Sequence, residues 1–137
     1  MKQIITILIT SITLTLSACN KEVQSTQADV MNTMLANKTW YLDFNVTGSV
    51  TKSYVGQSTY FVTYLKDGSI KDSDGLMGTY TVEIVNGQSQ IHAQVKTANG
   101  NPLEVIYNII SIGESKLVLA KQISSGTSTN LYFTNKY

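Results

Sequence analysis

Three observations predict an all-β fold. From Lys38 onward, apolar and polar residues alternate with a period of two over most of the chain. Turn dipeptides recur between these runs. Thr, Ser, Tyr, Val and Ile are abundant, while proline occurs once, a composition that favours strands. Period-two alternation marks strands with one buried face, and short strands joined by tight turns with no helical pattern between them form an antiparallel meander. Such strands must close or stack. Closure removes exposed edges, and a barrel of about eight strands is just wide enough to be packed with side chains or to hold one small ligand. The expected architecture is an antiparallel meander closing into a small barrel of roughly 7–8 strands, preceded by one short N-terminal helix.

The first segment is not part of that fold. Met1-Lys2-Gln3 is a short positive start, and Ile4 to Leu16 is apolar and uncharged, the layout of an export signal. The run falls short of the roughly 20 residues that cross a bilayer core. Leu16-Ser17-Ala18-Cys19 resembles the bacterial lipobox, which is cut just before its cysteine. The resemblance implies a diacylglycerol thioether on Cys19 and acylation of the new amino group. Several acyl chains, at ~0.8 kcal/mol per buried methylene, make a firm anchor where one alone is marginal. Asn20, where the retention signal for the inner membrane is usually Asp, implies sorting to the outer membrane of a bacterial envelope. The expected division is a signal peptide over 1–18, a lipidated tether over 19–25 and the barrel domain over 26–137.

Within the domain, Thr26-x-x-Asp29 fits the start of a short helix, with a hydroxyl to cap and an acid in the first turn. Val30, Met31, Met34 and Leu35 then share one helical face, which serves to close one end of the domain or to meet a partner. Asn37 suits the left-handed stop. Trp40, Leu42, Phe44 and Val46 alternate with polar neighbours as the first strand. Val50 to Val55 reads as a short edge strand, Thr59 to Lys66 as a strand ended by Asp67-Gly68, and Ile70 to Gly75 as polar turn. Tyr80, Val82 and Ile84 precede Asn86-Gly87, whose residues adopt positive φ at both central positions of a hairpin turn. Ile91, Ala93 and Val95 form the return strand, followed by a turn at Asn99-Gly100. Leu103, Val105, Tyr107 and Ile109 make the next face. Ile106, Ile110 and Ile112 break its alternation, so this strand is covered on both sides or bulged. Leu117 and Leu119, then Leu131 and Phe133, supply the last two strands.

Composition excludes several classes of function. The chain has ten basic residues, all lysine, against nine acidic ones, and loss of Lys2 with the signal makes the mature charge near zero. Without a basic stripe or any arginine, nucleic acid is not an expected partner. The single cysteine rules out a disulfide within the chain, so packing alone must stabilise the fold. No second long apolar run predicts a transmembrane helix.

The domain also resembles the lipocalin-like lipoproteins of Gram-negative bacteria, over roughly residues 35–135. The shared features are the lipobox, the short tether, Leu35-x-x-x-x-Trp40 at the first strand, Gly78-x-Tyr80, Tyr107-x-Ile109, Leu117-x-Leu119 and the terminal Tyr132-Phe133. The resemblance implies a barrel with a ligand pocket. The family has Gly two residues before the first-strand Trp and an Arg packed over it; here the position is Lys38 and the chain has no Arg.

Chemistry-bearing motifs are sparse. His92 is the sole histidine, sits on the polar face of its strand, and is expected to be a surface residue. Asp72-Ser73-Asp74-Gly75 has part of a calcium loop's spacing, but Ile70 and Thr81 stand where further acids are needed, so a solvated turn is expected and neither metal nor cofactor. The Asn37 and Asn45 sequons match by chance. Two non-enzymatic readings follow. In the first, Trp40, Phe44, Tyr60, Tyr64, Tyr80 and Tyr107 line a barrel that holds a small apolar ligand, or else simply form core. In the second, the protein is an envelope interaction or inhibitor protein that works through its outer face or through the loops Gly48–Gln57 and Gly68–Gly78. The membrane, through the lipid anchor, is the one expected partner in both.

Overall fold

The computed structural model describes residues 22–56, 60–124 and 126–135. The expected signal peptide, the lipobox and Cys19 lie outside the described residues. A helix, α1, covers residues 22–35. Among the described residues nine strands follow: β1 (Lys38–Thr47), β2 (Val50–Ser53), β3 (Phe61–Tyr64), β4 (Ser69–Asp72), β5 (Met77–Val85), β6 (Gln88–Lys96), β7 (Pro102–Ile112), β8 (Lys116–Ser124) and β9 (Thr127–Thr134). Neighbours pair antiparallel in the order β2-β1-β3-β4-β5-β6-β7-β8-β9, and β1 pairs with β9 to close the sheet. β2 and β3 both lie on the same side of β1, opposite Phe44–Thr47 and Lys38–Tyr41 respectively. They are two halves of one stave, so the nine strands make a closed barrel of eight staves.

The local chemistry explains the corners. Asn86 and Gly87 have φ of 52° and 78° and join β5 to β6 with Val85 opposite Gln88, the two-residue hairpin their dipeptide dictates. Asn37, at φ 58°, ends α1. Its N–H donates to the Tyr64 carbonyl at 2.7 Å and its Oδ1 accepts from the Lys66 N–H at 3.2 Å, so the helix stop also ties α1 to the β3–β4 corner. Gly78 marks a close approach of β5 to β6. A methyl group there would run into the Gln94 carbonyl oxygen and lie 2.7 Å from the Val95 Cα.

The structure departs from the sequence-based expectation in three places. The helix is under way by residue 22, so Thr26 is not its cap. The Thr26 hydroxyl instead donates to the Glu22 carbonyl one turn back, at 3.0 Å. The stretch expected to be polar turn contains β4, because Ile70 turns inward and is buried while the turn is confined to residues 73–76. Of the two expected readings of β7 the structure takes the bulge, between Ile109 and Ser111; Ile106 and Ile110 are 44% and 54% exposed, so the strand is not covered on both sides.

The third departure has the largest effect. In β1, Leu42 pairs with Phe133 but Phe44 pairs with Tyr132, with a bulge between. One extra residue in a strand reverses the facing of everything after it. Trp40 and Leu42 therefore point inward, while Phe44 and Val46 point outward.

The core fills the interior from the helix-capped end upward. Leu35, Trp40, Ile91 and Leu117 have no exposed surface, and Tyr64 and Leu119 are 1% exposed. Trp40 Nε1–H donates to the Leu35 carbonyl at 3.1 Å, which locks the helix end to the first strand. Lys38 Nζ stands 5.4 Å from the centroid of the Trp40 ring and donates to the Glu114 carbonyl at 3.1 Å. In this chain a lysine of the same strand supplies the cation over the tryptophan. Of the expected helical stripe, Leu35 and Met31 close the barrel, but Val30 remains 53% exposed.

Candidate functional site

The six aromatic residues expected to line a pocket do not form one group. Tyr60, Tyr64 and Tyr107 come together on the inner wall with Val62, Ile70 and Asp72 among others. The space they enclose is about 30 Å³, the volume of roughly one water molecule. Trp40 and Tyr80 sit at the helix-capped end. The Tyr80 ring meets Tyr64 edge to face at 5.0 Å; its hydroxyl reaches Asn32 Oδ1 at 2.9 Å and the Leu65 carbonyl at 3.0 Å. Phe44 is on the outside.

The inner tyrosines behave as core. Burial raises the pKa of Tyr60 above the ordinary phenol value, with Tyr107 and Asp72 adding to the effect. Burial likewise raises Tyr64 and, with Asp72, Tyr107. The Tyr60 hydroxyl donates to Asp72 Oδ2 at 3.1 Å. The other Asp72 oxygen accepts the backbone N–H groups of Asp74 and Leu76, both at 2.9 Å. Asp72 thus caps its own turn and orients a tyrosine. Among the described residues no group of three or more acids, histidines or cysteines is placed to hold a metal ion. Every buried side-chain nitrogen or oxygen among them has a hydrogen-bond partner, so no orphaned polar atom inside the barrel points to an absent ligand.

His92 lies on the outer face of β6, half-buried, with Nε2 3.1 Å from Gln90 Oε1. Gln90 in turn donates to Asn108 Oδ1 at 2.8 Å. This side of the wall, with Thr79, Thr81, Glu83 and Gln94, is polar.

The opposite side of the wall differs. Past the β1 bulge, Phe44 stacks on Tyr132 with ring centroids 4.4 Å apart and planes 21° from parallel. Before the bulge, Tyr41 meets Phe61 at 5.9 Å. Cross-strand register places Val118 beside Tyr132, with Ile110 at the β7 bulge next to it. Phe61, Tyr41, Phe44, Tyr132, Val118 and Ile110 therefore form an apolar band across the outside of five staves. Alternation alone assigned Phe44 to the interior; in β1 the apolar residues keep their spacing of two straight through the bulge, so the band was not legible from the sequence.

Comparisons with protein-family models, with curated proteins and with solved structures find no match to this chain. No described helix is long and apolar enough to cross a membrane.

Proposed function

We propose that the protein is a lipid-anchored lipoprotein of the bacterial outer membrane, lipocalin-like in architecture and non-enzymatic, whose barrel binds another envelope protein through its outer aromatic band. The observation that carries this reading is the pairing of a filled interior with an aromatic outer wall. Small-molecule sites occupy about 300 Å³ or more, some tenfold above the cavity of about 30 Å³. An apolar ligand inside would have to displace core side chains such as Tyr60 and Tyr107. The band needs no such rearrangement. Aromatic residues are enriched where proteins meet, and contiguous apolar patches mark such surfaces.

A photo-crosslinking residue at Val118 or Ile110, with Thr81 on the polar wall as the control, tests the proposal. In intact cells at native expression, discrete adducts are expected from the band positions and not from Thr81. Adducts absent from both band positions would sink it. The anchor is tested separately by intact mass: a diacylglyceryl group is expected on Cys19, and its loss in Cys19→Ser.

A further inference from the structure

Helix α1 has a broader apolar arc than the barrel covers. Its inner side is accounted for: Leu35 is buried, Met31 packs on the core, and Asn32 accepts the Tyr80 hydroxyl. Val23 and Val30 lie seven residues apart, close to one line along a helix, and stand 61% and 53% exposed. With Thr26, Gln27 and Met31 they line one shallow outer face. Glu22, at its end, is the one charged residue along it.

We infer that this face of α1 rests on the lipid surface, so that the barrel stands on its helix-capped end with its mouth turned away from the membrane. The inference rests on the anchor proposed at Cys19. Three steps of the chain, through Asn20 and Lys21, separate Cys19 from Glu22, and at up to 3.6 Å per step they span at most about 11 Å. Whatever path they take, the first turn of α1 is then held within the headgroup layer. The bilayer is the one apolar surface that the chain cannot leave, which selects it over a second copy or a diffusing partner. Two valines alone would bind lipid weakly; attached to acyl chains they need only set the orientation.

The topology fixes what that orientation presents. The start of β1, the β3–β4 corner, the Asn86–Gly87 turn and the β7–β8 turn share the helix end. The β1–β2, β4–β5, β6–β7 and β8–β9 turns share the other. Strands of nine to eleven residues, tilted as barrel strands are, hold those turns ~25–30 Å above the membrane. The aromatic band runs around the wall between the two levels, open to a partner moving beside the membrane.

Cys19 is the sole cysteine, and its sulfur is blocked once acylated, so single added cysteines report position cleanly. The full lipidated chain carrying Val23→Cys, Val30→Cys or, at the mouth, Ser73→Cys is labelled with an environment-sensitive fluorophore. It is then placed in phosphatidylethanolamine–phosphatidylglycerol vesicles containing brominated lipid. Quenching at positions 23 and 30 is expected to exceed that at 73 by at least about twofold. Equal quenching at all three positions, or none at 23 and 30 while the chain floats with the vesicles, overturns the orientation and leaves the anchor standing. A chain that does not float and carries no lipid by mass overturns both.

Discussion

Two sets of aromatic side chains share the wall of this barrel, and they are held in different ways. Trp40, Tyr60, Tyr64, Tyr80 and Tyr107 point inward, and each polar tip the structure pairs is tied to a carbonyl, an amide or a carboxylate. Tyr41, Phe44, Phe61 and Tyr132 point outward and are shielded chiefly by one another. The inner set makes the fold. The outer set is dispensable for it, since a closed barrel is satisfied by a polar exterior such as the β5–β6 side already provides. An apolar surface the fold does not need is where function is to be sought.

The sharpest separation of the two sets comes from substitution. Trp40→Ala removes a fully buried ring, its hydrogen bond to Leu35 and the seat of Lys38. Denaturant unfolding should show a loss of ~3–5 kcal/mol; a midpoint equal to the parent's would place Trp40 outside the core. Alkali tests the same set without mutation. The fold holds the protons of Tyr60, Tyr64 and Tyr107 more tightly than the unfolded chain does, whose phenols ionise near 10.0. The stability this contributes is whole below pH 10 and falls as pH rises past it. Phenolate absorbance from the inner set should therefore appear together with loss of the strand circular dichroism signal. Ionisation well before unfolding would mean that these rings are open to solvent.

Smaller effects sharpen the contrast. Gly78→Ala should cost ~1–3 kcal/mol through overpacking against the β6 backbone, read as a lower melting temperature with the secondary structure intact. An unchanged melting temperature would show that β5 can move off β6 there. Tyr132→Ala removes one partner of the outer stack, worth ~0.5–1.5 kcal/mol, yet should abolish the adducts formed from Val118. A stability loss as large as that of Trp40→Ala would erase the distinction between the two sets.

Much of this could be read from residues alone. The helix stop at Asn37, the hairpin at Asn86–Gly87, the inward run Ile91, Ala93, Val95 and the closed antiparallel barrel follow from φ preference and period-two patterning. The helix start was missed because Thr26 sits equally well inside a helix when its hydroxyl bonds back to the preceding turn. β4 was missed because Ile70 is its single buried residue, too little for a period to register. Three of the six expected site residues, Tyr60, Tyr64 and Tyr107, do share one region. Whether that region is hollow depends on how side chains from separate staves interlock, which no single strand's pattern contains.

The bulge in β1 is a place where the chain carries one residue more than its partner strand needs. Excising Asp43 would leave Leu42 opposite Phe133 and Phe44 opposite Tyr132 as successive residues of a regular ladder, so that the outer stack and the contact between the hydroxyls of Thr47 and Thr129 at 2.6 Å both survive. Lineages that drop a residue at this point would keep the same lining and the same coat, whereas a deletion between paired residues elsewhere in β1 would exchange them.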